Sequence, residues 1–297
     1  MTAPGPILAA TDFSAPARHA ADRAARLARE THAELTLMHV VAGAPLQELR
    51  QWLGQGHTVE QRVQDDAQAQ LDALAAELQA HRHVNVRPRL ASGSVLDEIG
   101  REAEARDAGL LVLGARGAGF LRRLVLGSTS ERLLRRTMRP LLVVRQMAHE
   151  PYRRVLVALD FSPWSAQAIG LARRVAPHAR LVLFNAYQVP FEEKLHFAGV
   201  DAATISLYRQ RARTEATQRL HALAAASGLN AGEWEVCIVE GEASQRIVEH
   251  EQEQDCDLVV LGKHGQSAAE DLLLGSVSRH VLDEGSTDVL VSTARAA

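Results

Sequence analysis

Glycine, serine and aspartate residues occur in this chain at spacings that suit a phosphate-bearing ligand. Gly114 and Gly117 precede Gly127-Ser128, and Asp12 follows the first apolar segment. Glycines let the backbone turn tightly and approach a ligand closely, and the first N–H groups of a helix attract phosphate. A carboxylate beside phosphates is unfavourable, so the useful role of Asp12 is to accept sugar hydroxyls at the far end of the ligand. The combination predicts a nucleotide site.

The same combination occurs again 148 positions later, at Asp160, Gly262, Gly265 and Gly275-Ser276. A lone glycine or aspartate often serves only a turn, and Ser128 with Glu131 matches a capping box that would merely start a helix. The repetition in register favours binding over these ordinary explanations. The candidate binding residues are Thr11, Asp12, Val40, Gly114, Arg116, Gly117, Gly127, Ser128, Thr129 and Ser130 in the first half, and Asp160, Ala186, Gly262, His264, Gly265, Gly275, Ser276, Val277 and Ser278 in the second.

The elements that must position these residues alternate between strand and helix in both halves. The predicted strands are Ile7–Ala10, Leu35–Val41, Val84–Leu90, Leu110–Leu113 and Leu141–Val144, then Val155–Leu159, Leu181–Phe184, Trp234–Val239, Leu258–Leu261 and Val289–Val291. Several are unbroken apolar runs, typical of strands covered by helices on both faces. The chain is therefore predicted to be an α/β protein with two tandem, doubly wound, five-stranded parallel-sheet domains, 1–148 and 149–297.

Ligands bind such sheets beyond the carboxyl ends of the strands, where the direction of winding reverses. Asp12 directly follows the first predicted strand, and Gly114 directly follows the fourth. If these two strands are neighbours, the carboxylate and the glycine loop face one crevice. Ser14 is the predicted N-cap of the helix between them in sequence, from Ala15 to about Arg29.

In these motifs the chain resembles the universal stress protein family in its tandem form. Nucleotide-binding members have Gly-x-x-Gly, nine further residues and Gly-Ser or Gly-Thr after the fourth strand, with an aspartate after the first, and both halves match. Asp107, Asp255 and the Pro140–Val144 segment add to the likeness. The resemblance implies a Rossmann-like domain of the adenine nucleotide alpha hydrolase type that binds ATP, in some members with Mg²⁺. Such proteins are stress-induced regulators or protectants, and many do no efficient chemistry on ATP.

The resemblance also implies a role for each matching residue. Asp12 and Asp160 would contact the ribose or the adenine, and the backbone around Val40 and Ala186 would border the base. The phosphates would be held by Gly114, Gly117, Gly127, Ser128 and Ser130, and by Gly262, Gly265, Gly275, Ser276 and Ser278.

The two halves differ in charge between their glycines. Arg122 and Arg123 in the first half correspond to Glu270 and Asp271 in the second, and Lys263 replaces Ala115. If these residues face a triphosphate, the first site attracts it, and the second repels it with only partial compensation from Lys263. The first half is therefore predicted to bind ATP more tightly. The alternative is that both pairs lie on a solvated loop and are screened.

Composition excludes several classes of function. Charged residues at 23% with a net charge of −3 give no overall attraction to nucleic acid, and aromatic residues at 4% provide few stacking platforms. No apolar run approaches the roughly 18 residues that a membrane span needs. Cys237 and Cys256 lack metal or disulfide spacing and are predicted to be small buried hydrophobes. We expect a cytoplasmic protein without nucleic-acid or membrane partners.

Other residues give weaker indications of function. Four arginines, Arg132, Arg135, Arg136 and Arg139, form a basic face that suits either solvent or an acidic partner. His81 and His83 would share one side of an extended segment but have no third ligand, so no metal site is predicted. The loops Ala44–Gly56 and Val189–Thr204 differ most between the halves and would either set ligand choice or form lids. No nucleophile lies beside a base, so no catalytic residue is predicted.

Three hypotheses follow. The first is a tandem stress protein in which bound ATP biases the loops and hence partner recognition. The second is a scaffold or small-ligand carrier whose nucleotide site has degenerated, above all in the second half. The third is a slow ATPase. The family resemblance further implies that the last strands, Leu141–Val144 and Val289–Val291, pair inside one chain, as such strands pair across the dimer axis of other family members. The pairing would mask the edges of both strands and make the chain a pseudo-dimer, with a further homodimer left open.

Overall fold

The computed structural model describes residues 4–43, 57–115, 127–189, 200–263 and 274–293. Its strands are β1 Ile7–Ala10, β2 Leu35–Ala42, β3 Val86–Gly93, β4 Leu110–Gly114, β5 Leu141–Val144, β6 Arg154–Ala158, β7 Arg180–Tyr187, β8 Trp234–Glu240, β9 Leu258–Gly262 and β10 Asp288–Ser292. Its helices are α1 Ala15–Thr31, α2 His57–Arg82, α3 Val95–Ala105, α4 Ser128–Arg136, α5 Ser165–Val175, α6 Ala202–Ala226, α7 Ala243–Glu253 and α8 Ser276–Glu284.

All ten strands form one sheet, in the order β3-β2-β1-β4-β5-β10-β9-β6-β7-β8. Neighbours within each half are parallel, whereas β5 and β10 are antiparallel, with Leu142 opposite Leu290. The predicted fold class and the predicted pairing of the last strands are both confirmed. In each half the winding reverses between its first and fourth strands, β1 and β4 or β6 and β9, so the sheet has two equivalent crevices.

Helices cover both faces of this sheet, as the unbroken apolar strands predict. Helices α1, α2, α5 and α6 contribute to the core on one face, and α3, α4, α7 and α8 to the core on the other. Alanines dominate the buried side of α1, where Ala20, Ala24 and Ala28 lie against the sheet. Small side chains let α1 approach β1 and β4 closely, and this brings the helix start near the crevice. Within the described residues no helix is long and apolar enough to cross a membrane.

The largest difference from the predicted elements is at β3. The strand runs from Val86 to Gly93, whereas the apolar pattern predicts Val84–Leu90. Backbone pairing continues past the last large apolar residue, with Val41 of β2 level with Ser92. A strand is defined by its hydrogen bonds, so it can extend through small residues that leave no hydrophobic pattern.

The segment between β5 and β6 is held by a buried polar cluster, which we call the junction cluster: Arg23, Tyr152 and Asp288. Asp288 is 1% exposed, and its carboxylate accepts from Tyr152 Oη at 2.6 Å and from the backbone N–H of Arg145 at 2.7 Å. The Arg23 guanidinium lies 4.2 Å from the ring centre of Tyr152, with its Nε 3.4 Å from Asp288. Burial raises the pKa of the Tyr152 hydroxyl well above its usual value.

The division of the chain into two domains after residue 148 stays a prediction.

Candidate functional site

The predicted residues that the structure describes lie at the carboxyl edge of the sheet in each half. The pairing of β1 ends with Ala10 opposite Met38 of β2 and Ala9 opposite Val112 of β4. Continuing these registers along the chain aligns Asp12 with Val40 and with Ala115. In the second half the same registers place Asp160 level with Ala186 and with the residue after β9. The first and fourth strands are therefore neighbours, and the aspartate and the start of the glycine loop share one crevice.

Both aspartates form tight turns between strand and helix. The Asp12 Oδ1 atom accepts from the Ser14 N–H at 3.1 Å and from its hydroxyl at 2.5 Å. Asp160 Oδ1 accepts from the Ser162 N–H at 3.0 Å. The intervening residues Phe13 and Phe161 both have φ of 62°, a left-handed conformation that is uncommon for a bulky side chain. The ordinary turn role is confirmed, and the predicted contact with ribose or adenine stays a prediction.

A polar side chain on the second strand of each half was missed by the sequence analysis. The His39 imidazole Nδ1 lies 2.7 Å from the carbonyl oxygen of Thr11, and the Asn185 amide donates to the carbonyl of Leu159 at 2.7 Å. Each bond ties the end of the second strand to the residue just before the aspartate. A polar residue near the carboxyl end of a buried apolar strand is the signal that could have identified both positions.

Gly114 is required by a close approach between β4 and α1. A Cβ atom there would lie 2.9 Å from the carbonyl carbon and oxygen of Pro16, which are backbone atoms. The glycine therefore has a packing role in addition to any contact with a ligand. The repeated pair Gly93 and Gly241 also shares its geometry, with φ of 144° and 137°.

Helices α4 and α8 begin beside the two crevices. Gly127 is the N-cap of α4 and its N–H donates to the carbonyl of Ala115 at 2.8 Å. Gly275 is the N-cap of α8 and its N–H donates to the carbonyl of Lys263 at 3.0 Å. In the part of the chain that is described, no side chain caps either helix start. Each start is thus fixed to the residue that follows the fourth strand of its half.

The capping-box interpretation of Ser128 is wrong, because Ser128 is the first helical residue and Gly127 is the N-cap. Glu131 pairs instead with Arg135 of the same helix, at 2.7 Å. A serine one position inside a helix cannot occupy the N-cap geometry that the box requires. This removes the capping box as an explanation of Ser128.

The buried serines Ser130 and Ser278 link each helix to its strand. The Ser130 hydroxyl donates to the carbonyl of Gly114 at 3.1 Å, and the Ser278 hydroxyl to the carbonyl of Gly262 at 2.7 Å. A phosphate contact by these hydroxyls would compete with those bonds and stays a prediction. Thr129 and Val277 are half-buried and Ser276 is exposed.

Several sequence-predicted residues lie outside the described part of the chain. These are Arg116, Gly117, His264 and Gly265, the charged pairs Arg122-Arg123 and Glu270-Asp271, and most of the two loops predicted to set ligand choice.

The Lys263 ammonium contacts carbonyls of the first half, and the compensation predicted for it in the second crevice stays a prediction. The side chain is 2% exposed, and its ammonium donates to the carbonyls of Arg135 and Thr137 in the first half, at 3.1 and 3.4 Å. The ends of a helix leave carbonyls without partners, and an ammonium satisfies them. The lysine acts at the junction between the halves.

The basic face predicted around α4 is largely neutralised by acidic neighbours. Its ion pairs are Arg135 with Glu131, Arg136 with Asp97, and Arg139 with Glu104 and Asp107. Arg139 also lies beyond the helix, which ends at Arg136. These contacts favour a structural role over an acidic partner.

The histidines and Cys237 differ from what the sequence predicts. His81 lies in the last turn of α2 and His83 follows it with φ of 53°, so the predicted extended segment is wrong.

Cys256 is buried, and burial raises the pKa of its thiol to about 11. Cys237 is only half-buried, with its Sγ atom 3.8 Å from His250 Nδ1, and burial raises its pKa as well. Burial thus disfavours the thiolate form of both cysteines.

Comparison with known proteins agrees with this architecture. A model of the universal stress protein family matches residues 5–145 and again 151–293. A universal stress protein of Mycolicibacterium smegmatis is 28% identical over 313 aligned positions, covering 96% of both chains. One from Mycobacterium tuberculosis is 28% identical over 245 positions, covering 77% of this chain and 78% of its own. The solved structure of a universal stress protein from Archaeoglobus fulgidus has the same fold, with a TM-score of 0.66 at 17% identity over 98% of both chains. With one match in each half, the chain belongs to the universal stress protein family in its tandem form.

Proposed function

We propose that this protein binds ATP at the carboxyl edge of its sheet, and that occupancy of the site governs partner recognition in a stress response. The observation that carries the proposal is that α4 and α8 each begin at a glycine beside the crevice. Among the helices whose N-cap is described, only these two have glycine there. Exposed N–H groups at the positive end of a helix favour a phosphate.

The neighbouring residues define the orientation in which the nucleotide would bind. Phosphates would lie at the starts of the helices, and the sugar would extend toward Asp12 or Asp160. The base would then pass the end of the second strand, at Val40 or Ala186, as in the registers above. Binding by backbone N–H groups suits a site in which the serine hydroxyls already serve packing.

Any Mg²⁺ would enter together with the phosphates. Within the described residues no three His, Cys, Asp or Glu side chains converge to hold a metal ion. Mg²⁺ usually keeps several waters and binds through phosphates with one or two carboxylates, so a nucleotide site does not need a dedicated protein cage.

The proposal is tested by substitutions at the helix starts. Gly127 has φ of −61° and ψ of 143°, the extended conformation in which Asp and Asn serve as N-caps. Gly127→Asp should preserve α4 while placing a carboxylate where phosphates would lie. We expect ATP affinity at the first site to fall at least about tenfold, equivalent to ~1.4 kcal/mol, because like charges repel. Isothermal titration calorimetry in a Gly275→Asp background follows the first site, because that change weakens the second.

The matched control is Gly127→Asn, which offers the same cap without the charge and should lose much less affinity. An unchanged affinity in Gly127→Asp would place the phosphates elsewhere. Absence of both heat with ATP and co-purified nucleotide in the wild type would reject nucleotide binding and favour the scaffold hypothesis. Turnover above background that disappears in Gly127→Asp would add slow hydrolysis to binding.

A further inference from the structure

The helices that begin at the two crevices end where the halves meet, and each receives a cation from the opposite half. Lys263 of the second half donates to the carbonyls of Arg135 and Thr137 at the end of α4, at 3.1 and 3.4 Å. Arg145 of the first half donates to the carbonyl of Leu282 in the last turns of α8. Cations at these positions satisfy carbonyls that the helix leaves unpaired and complement the helix dipole.

We propose that each nucleotide site is completed across the junction, with Lys263 as a positioning residue for the first site and Arg145 for the second. This inference rests on the proposed function, because it concerns the helices whose first N–H groups would hold the phosphates. It assigns to each half a residue that acts on the other half's ligand.

The first site shows how the positioning operates. Helix α4 has nine residues and is therefore about 13 Å long. Its start is fixed by the Gly127 N–H, and its end by Lys263 together with Thr293, whose hydroxyl donates to the carbonyl of Met138 at 2.7 Å. A short helix held at both ends keeps its N–H groups in one direction. Released at its end, the helix can pivot about its start, and the N–H groups lose their alignment.

Lys263 also connects the two crevices directly. Its backbone carbonyl accepts from the N–H of Gly275, the N-cap of α8, at 3.0 Å. Its side chain reaches the end of α4, whose N-cap is Gly127. One residue thus borders the second site through its backbone and supports the first through its ammonium. The equivalent residue of the first half is Ala115, which has no such reach.

The test uses two variants that we call single-site proteins: Gly275→Asp, which weakens the second site, and Gly127→Asp, which weakens the first. Lys263→Met keeps the length of the side chain and removes its charge. We expect it to weaken ATP binding at the first site about fivefold or more, and to weaken ATP binding at the second site less. Arg145→Met should show the opposite pattern. Adenosine, which lacks phosphates, should bind the first site equally well with and without Lys263→Met.

A purely structural role of Lys263 would lower thermal stability and affect both sites and both ligands alike, and that result would overturn the inference. Unchanged ATP affinity at the first site in a folded Lys263→Met protein would overturn it too, while ATP binding by the parent would leave the proposed function intact. If the parent protein binds no ATP, both the proposed function and this inference are rejected. If Lys263→Met fails to fold, Thr293→Val is the substitute, because it removes one hydrogen bond just after the same helix end. It must weaken the binding of ATP at the first site and leave the binding of adenosine unchanged.

Discussion

At the scale of single residues, side chains that could bind a ligand already serve the fold. Asp12 closes a turn, Ser130 donates to the carbonyl of Gly114, and the Lys263 ammonium lies against carbonyls of the first half. The groups that remain at the helix starts are mainly backbone N–H groups. A site built this way depends strongly on charges in the loops nearby, because no buried side-chain cation lies among its described residues to hold the phosphates.

The loop charges should therefore make the two sites unequal. We expect the first half, with Arg122 and Arg123, to bind ATP more tightly than the second, with Glu270 and Asp271. The Lys263 ammonium, the one expected compensation in the second half, contacts carbonyls of the first half. Exchanging the charges by Arg122→Glu with Arg123→Asp should weaken ATP binding at the first site on the order of tenfold at low salt. The effect should be smaller at high salt, because salt screens the charges. Titration calorimetry in the single-site proteins measures the change.

Glu270→Arg with Asp271→Arg is the complementary variant and should strengthen ATP binding at the second site. If neither exchange alters affinity at low ionic strength, both pairs are solvated and the inequality of the sites has another origin.

At the scale of elements, the approach of α1 to β4 sets the shape of the crevice. The start of α1 lies so close to Gly114 that a methyl group there would overlap the Pro16 carbonyl. Ser14 caps the helix, accepting from the Ala17 N–H at 3.4 Å as predicted. The same contact that brings the Asp12 turn to the crevice therefore also demands a glycine at the end of β4.

Gly114→Ala should lower the free energy of unfolding by about 1–3 kcal/mol, because overpacking against backbone forces the helix or the strand to shift. The matched control is Gly100→Ala in the middle of α3, where an added Cβ meets no atom within 4 Å. That change should stabilise the protein by up to about 1 kcal/mol through helix propensity. Urea denaturation followed by circular dichroism compares the two. Equal stability of both variants would show that the Pro16 contact can relax.

At the scale of the whole molecule, the antiparallel pairing of β5 with β10 makes one continuous sheet from two halves. The pairing hides the edge that each half would otherwise expose, so one chain has the arrangement of a dimer. Around this seam the junction cluster buries a carboxylate, a phenol and a guanidinium together. Burial raises the pKa of the Asp288 carboxyl, against hydrogen bonds from Tyr152 and the Arg145 N–H that lower it.

Asp288→Asn should destabilise the protein by about 3–5 kcal/mol, because it leaves the buried Arg23 without its carboxylate. Arg87→Ala provides the control, since its ion pair with Glu34 is more than half exposed and such pairs contribute about 1 kcal/mol or less. The midpoint of urea unfolding measures both. If Asp288→Asn loses no more stability than Arg87→Ala, the junction cluster is not a main source of stability.

The sequence by itself determined the repeated α/β pattern, the strands, the turn-forming aspartates and the glycine-started helices. These follow from local rules, since apolar runs, caps and turns involve residues close together in the chain. Only the tertiary structure decided where Lys263, Arg145 and the Arg23 side chain act, because their partners lie more than a hundred residues away. A charged residue has the same appearance in sequence whether it faces a ligand, solvent or another half. Its role is settled by which carbonyl or carboxylate the fold brings within hydrogen-bonding distance.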